Sequence, residues 1–255
     1  MTMTSPGLTV FPHQLLRCKT RPFRRNEADQ AVTKILLIRH GHVEGIKPER
    51  FRGRADLALT DRGRAQALAV AKRVASLWLP ARIYASPMRR CAETGGAIAK
   101  ACGVEAITLD DLNDINYGAW QWRSHKEVAE AEPQLFAAWF ATPHLVRFPN
   151  GDSLQDVVAR TANALRLVLR DHGHEAIALI GHDSVNRALL LQLLDQPLSS
   201  YWRLAQEPCC INEIDVVDGH IHVHRINETS HLDAVAYAGD LCANSGRYGP
   251  TTLNL

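Results

Sequence analysis

Paired cysteines, long apolar runs and a surplus of charge are all scarce in this 255-residue sequence. Its six cysteines (Cys18, Cys91, Cys102, Cys209, Cys210, Cys242) form no CxxC, and the neighbours Cys209 and Cys210 cannot easily bridge each other. Reduced thiols are therefore expected, not a disulfide framework. No apolar run approaches the roughly 20 residues that span a bilayer, and the N-terminus lacks the basic, apolar and small-residue order of a secretory signal. No membrane partner is expected, and the expected location is cytoplasmic. The formal charge is only +2, from 29 Lys and Arg against 27 Asp and Glu. Through Lys34, six basic residues face only Glu27 and Asp29, which leaves 23 basic against 25 acidic residues for the rest. The basicity belongs to an N-terminal tail, so no nucleic-acid-binding face is expected on the body. What is present in quantity is aliphatic residue: 46% hydrophobic content with 22% charge is enough to bury a substantial core.

Residues 1–33 mix Pro, Thr, Arg and polar residues without periodicity and are expected to be a disordered basic extension. From Lys34 the pattern alternates between short β-branched runs and amphipathic stretches. Strands are expected at Lys34–Ile38, Arg82–Ala85, Val104–Leu109 and Ala176–Ile180. Helices are expected from Thr60 to about Trp78, from a Ser86-Pro87 start to about Ala101, from Ser124 to Phe140, from Ser153 to Asp171, and from His182 to Leu194. Ile211–Val217 and His220–Ile226 flank Asp218-Gly219, a hairpin signal. Together these predict an α/β fold: a three-layer αβα sandwich with a mostly parallel sheet, an antiparallel edge hairpin and a small helical lid insertion at about 115–149. Residues 34–232 form the expected domain, and 233–255 a C-terminal tail.

In open α/β sheets, ligands bind beyond the carboxyl ends of the strands. Arg39-His40 follows the first strand, Arg89-Arg90 falls in the first helical turn after the second, and His182 follows the fourth. Imidazoles and guanidiniums converging on one crevice, with no clustered Asp/Glu metal cage, make a pocket for a phosphate dianion.

At these residues the sequence resembles the histidine phosphatase, or phosphoglycerate mutase-like, superfamily over about Lys34 to Leu232. The likeness rests on LIRHG (Leu37 to Gly41), LTDRGRAQA (Leu59 to Ala67), SPMRRCAET (Ser86 to Thr94), LNDINYGAW (Leu112 to Trp120), PNGDS (Pro149 to Ser153) and LIGHDSVNRALL (Leu179 to Leu190), in that order. It implies that His40 is a nucleophile forming a phosphohistidine, and that Arg39, Arg90 and His182 hold the phosphoryl oxygens. Arg90 is the fifth residue of the SP-x-x-R pattern, and Arg89 is expected to pair on the helix surface. The general acid is usually a glutamate in L-x-E; that position is Asp114 here, with Glu44 as a fallback. The opening RHGHVEGI carries Ile46 where an asparagine is usual, and Asp183-Ser184 stands for the usual glycine pair.

The implied activity is a metal-independent phosphomonoesterase acting on a small phosphorylated metabolite, with no cofactor and no metal site. A mutase and a non-catalytic phospho-ligand-binding module are the alternatives, and a homodimer is left open. His220, His222 and His224 share one strand face at a spacing that could bind metal, but a solvated edge gives the same alternation. Lys47, Arg50, Arg52 and Arg54 read as a solvated loop, and Trp120, Trp122, Trp139 and Phe140 as lid packing.

Overall fold

The computed structural model describes residues 32–233 and 235. Expectations for the rest of the N-terminal extension and C-terminal tail lie outside the described residues. Six strands form one sheet in the order β3-β2-β4-β1-β5-β6. They are β1 (Val32–Arg39), β2 (Arg82–Ala85), β3 (Ala106–Thr108), β4 (Ala176–Gly181), β5 (Ile211–Val217) and β6 (His220–Glu228). The first four run parallel, and the β5–β6 hairpin adds antiparallel to β1. Asp218 and Gly219 both have positive φ, 49° and 81°, which closes the two-residue hairpin.

Strand β1 alternates faces, and each face finds its own helices. Leu36 and Ile38 pack with Val70 and Val74 of α1 (Asp61–Leu77) and Ile98 of α2 (Arg89–Cys102). Ile35 and Leu37 pack with Val157, Ala164 and Val168 of α5 (Leu154–Asp171) and Val185 and Leu189 of α6 (Asp183–Leu193). Period-2 alternation with both faces apolar is what a central strand between two helical layers requires.

Caps fix where the helices begin. Thr60 Oγ1 accepts from Gly63 N at 3.1 Å and starts α1. Ser153 and Asp156 form a reciprocal capping box at the start of α5. Some expected boundaries move. Strand β1 begins at Val32, inside the expected extension, because Thr33 and Lys34 already pair with β5. The third strand is shorter than Val104–Leu109 and wholly exposed at the sheet edge. Helix α2 starts at Arg89 instead of at Ser86-Pro87, with Met88 as an N-cap that makes no side-chain bond. Ser86 is spent elsewhere, because its hydroxyl serves His182 at 2.9 Å.

The helical region expected over Ser124–Phe140 is two helices, α3 (His125–Ala131) and α4 (Pro133–Ala141). Pro133 disfavours helical backbone at Glu132, which sits at φ −136°, ψ 59°. The freed Glu132 carboxylate accepts from Trp120 Nε1 at 2.9 Å. Of the four expected lid aromatics, Trp120 and Trp139 are buried whereas Trp122 and Phe140 are 38% and 41% exposed. Phe140 stacks on Trp202 at 5.2 Å. No helix among the described residues is long and apolar enough to cross a membrane.

Candidate active site

The parallel strands β1 and β4 are neighbours in register from Lys34↔Ala176 to Arg39↔Gly181, so Arg39-His40 and His182 leave the sheet side by side. The His40 and His182 rings lie 5.2 Å apart, inclined at 63°. Backbone bonds lock this edge: His40 N donates to Gly181 O at 3.0 Å, and Cys209 N to Arg39 O at 3.1 Å. Helix α1 presses on the loop that follows. A methyl on Gly41 would stand 2.6 Å from the Gly63 carbonyl oxygen, and one on Gly63 2.1 Å from that of His42.

His40 Nδ1–H donates to its neighbour's carbonyl, Gly41 O, at 2.7 Å, which assigns the proton to Nδ1 and leaves a lone pair on Nε2. That Nε2 accepts from Arg90 Nε at 3.2 Å. The same Nε lies 3.2 Å from His182 Nδ1, so His182 takes the opposite tautomer, with Nε2–H donated to Ser86 Oγ at 2.9 Å. Both rings are held neutral. Burial, then Arg90, pulls each well below the ordinary histidine range, with Arg39 acting in the same direction on both.

Arg90, fully buried, is the hub. Its Nη1 donates to Ala55 O at 2.9 Å and its Nη2 to Asp114 Oδ2 at 2.9 Å. Arg89 faces outward and pairs with Glu93 at 3.1 Å. Arg39 is 5% exposed; one end bonds the Gln206 carbonyl, while its buried Nε has no protein partner. A buried N–H without an acceptor is costly, and this donor is open to an acceptor from outside the protein.

Asp114 is buried among these groups, with Oδ2 also 3.4 Å from His182 Nδ1. Its Oδ1 accepts from Ile115 N at 2.9 Å and from Ser184 Oγ at 2.5 Å. Glu44, the fallback acid, is exposed. Asp183 pairs with Arg187 at 3.0 Å, and Arg187 lies over the Tyr201 and Trp202 rings. The strand histidines His220, His222 and His224 are exposed, and His224 bonds Asp215 at 2.9 Å. Among the described residues no group of three His, Cys, Asp or Glu is arranged to hold a metal ion.

Three groups escape a motif-based reading. Ser86 orients His182, and Ser184 holds Asp114. Arg52, expected in a solvated loop, is half-buried; burial and then Arg39 pull its guanidinium below the ordinary value, and Tyr117, Asp183 and Asp114 act the other way. Its Nη1 donates to Gly45 O at 2.7 Å. The available signal was its place in Phe51-Arg52-Gly53, between a core aromatic and the glycine whose carbonyl Arg90 holds.

With this geometry in view, the chain matches the model of the histidine phosphatase superfamily (branch 1) over residues 35–229. It is 30% identical over 201 residues to phosphoserine phosphatase 1 of Hydrogenobacter thermophilus, covering 79% of this chain and 95% of that protein. To the metal-independent phosphoserine phosphatase of Arabidopsis thaliana it is 29% identical over 222 residues, covering 85% and 92%. The solved structure of Bacillus stearothermophilus YhfR superposes with a TM-score of 0.75 at 27% identity, covering 79% of this chain and all of that one.

Proposed function

The chain belongs to the histidine phosphatase superfamily, and from that premise we propose that it hydrolyses small alkyl phosphomonoesters, phosphoserine first among them, through a phosphohistidine on His40. The observation that carries this reading is the neutral His40 with its proton fixed on Nδ1, its Nε2 lone pair 3.2 Å from an arginine that is itself bonded to a carboxyl group. Phosphoserine is the substrate named for two of the relatives above.

In the first step Nε2 of His40 attacks phosphorus and the P–O bond to the alcohol breaks. Arg39, through its free Nε, and Arg90 hold the phosphoryl oxygens and balance their charge, and His182, whose Nε2–H is given to Ser86, adds a donor only when its Nδ1 takes up a proton with the incoming dianion. An incoming dianion takes Arg90 donors that otherwise serve Asp114. A proton taken up from solvent passes through Oδ2 to the departing alkoxide, so the alcohol leaves neutral and Asp114 is left as a carboxylate. In the second step water attacks phosphorus and loses its proton to the Asp114 carboxylate. The P–N bond breaks, and phosphate and neutral His40 are restored.

Release of phosphate from phosphoserine in excess chelator, compared between the parent and His40→Ala, tests the reading. The variant is expected to lose at least about a thousandfold in kcat, and acid-labile labelled phosphoenzyme is expected from the parent alone. Unchanged turnover in His40→Ala rejects the nucleophile. An isomerised phosphoester in place of free phosphate favours the mutase, and activity lost to the chelator rejects metal independence.

A further inference from the structure

We infer that Ser184 is the positioning residue for the acid: its hydroxyl anchors Oδ1 of Asp114, so that Oδ2 alone delivers and recovers the proton. This inference rests on the reading of Asp114 as proton donor given above.

Ser184 lies two residues after His182, in the first turn of α6, and is 2% exposed. Its Oγ stands 2.5 Å from Asp114 Oδ1 and 3.4 Å from Ile115 N. A serine hydroxyl has one proton to give, and a carboxylate oxygen at that distance is its acceptor, within the range of a charge-assisted O–H···O bond. Oδ1 therefore receives two donors from two elements, the Ile115 N–H from the loop and the Ser184 O–H from the helix. A proton on Oδ1 would point into one of them.

The other oxygen has different surroundings. Oδ2 faces Arg90 Nη2 at 2.9 Å and His182 Nδ1 at 3.4 Å, the two groups that face the nucleophile. When a phosphoryl group engages Arg90, Oδ2 is the oxygen released. The Ser184 bond also ties a loop-borne acid to the helix that begins at His182, so the proton donor keeps its distance from the phosphoryl-holding histidine. An aspartate has one methylene less than a glutamate with which to reach the leaving oxygen, and an anchored carboxyl group does not lose that short reach to rotation about χ2. Through the second step Oδ1 keeps the same two donors, and no bond to Ser184 forms or breaks.

A residue that acts through the general acid leaves a mark that a purely structural residue does not. An alkoxide is a strong base and needs its proton as the P–O bond breaks, whereas p-nitrophenolate is a weak base and leaves without one. Ser184→Ala is therefore assayed on phosphoserine and on p-nitrophenyl phosphate, with glycerol 3-phosphate as the alkyl ester if phosphoserine is turned over too slowly. The expected result is read as kcat/KM, which reports phosphoenzyme formation and not the hydrolytic step that both esters share: about a tenfold loss on the alkyl ester, as for one lost bond to a charged group, with the aryl ester within about twofold of the parent. Ser184→Gly, which deletes the same hydroxyl with a different change in packing, is expected to give the same split.

Equal loss on both esters, or no loss on the alkyl ester, overturns the inference. Asp114→Asn, assayed alongside, separates the two readings. If Asp114→Asn shows the split and both Ser184 variants lack it, only the role of Ser184 fails. If Asp114→Asn itself lacks the split, the assignment of the acid fails with it.

Discussion

His40 and His182 are two imidazoles 5.2 Å apart at ring centre that share one arginine N–H, and both are kept uncharged by burial beside that cation. Opposite tautomers follow from their outer partners, a carbonyl for His40 and a serine hydroxyl for His182. Ring 15N shifts of the ligand-free protein are expected to show protonated Nδ1 in His40 and protonated Nε2 in His182, with both rings still neutral below the ordinary histidine value of about 6.5. A cationic ring at that pH contradicts the assignment. The four motif residues could be picked out from the sequence because each sits at a strand end or in a first helical turn, where position follows from the local pattern. The choice of Arg90 over Arg89 came from the SP-x-x-R pattern; adjacent helical residues point about 100° apart, and the structure turns Arg90 inward and Arg89 outward. Arg52, Ser86 and Ser184 were not legible: their roles depend on where a loop passes and which way a short hydroxyl turns, and neither has a periodicity.

At the scale of elements, the catalytic loop is held by close approach of backbone to backbone. Gly63→Ala drives a methyl into the His42 carbonyl, a backbone atom that cannot step aside, so it is expected to cost about 1–3 kcal/mol of stability and to lower turnover by shifting the loop. Gly96, exposed in the middle of α2 with nothing within 4 Å of where a methyl would stand, is the contrast. Gly96→Ala is expected to raise stability by about 0.5–1 kcal/mol and to leave phosphate release unchanged. Urea unfolding and the phosphate assay check both. Helices α1 and α5 were readable to within a residue because caps and amphipathic faces agree. The lid was not, because an alanine- and aromatic-rich run looks continuous until Pro133 is weighed against the helix before it. The start of α2 was misread because Ser86 is a good cap that the site uses for another purpose.

For the whole molecule, burial holds five described histidines below their ordinary value: His40, His42, His125, His182 and His231. The unfolded chain binds protons at these positions from about pH 6.5 downward while the folded chain does not, so unfolding takes up protons. Stability from this source is complete above pH 6.5 and is lost as pH falls from there toward the lowered folded-state values. The slope is at most about 1.4 kcal/mol per pH unit for each histidine. Urea midpoints that stay flat between pH 7 and 5.5 would contradict it. The layered architecture was legible because short apolar strands alternate with amphipathic helices along the chain; the assignment of each face of β1 to its helices was not, since that depends on tertiary contacts. The same strand has a kinetic consequence. β1 lies near the start of the described chain, yet its neighbours β4 and β5 come from residues 176–181 and 211–217, and the backbone around His40 is bonded by Gly181 and Cys209. Pairings so distant in sequence form late and slow a fold. His40, the proposed nucleophile, is among the first of these residues to be synthesised, yet its surroundings are not complete until nearly the last described strand has emerged and docked. From the emergence of Gly41 to that of Val217, an emerging chain therefore carries the complete Arg39-His40-Gly41 motif without the enzyme's activity.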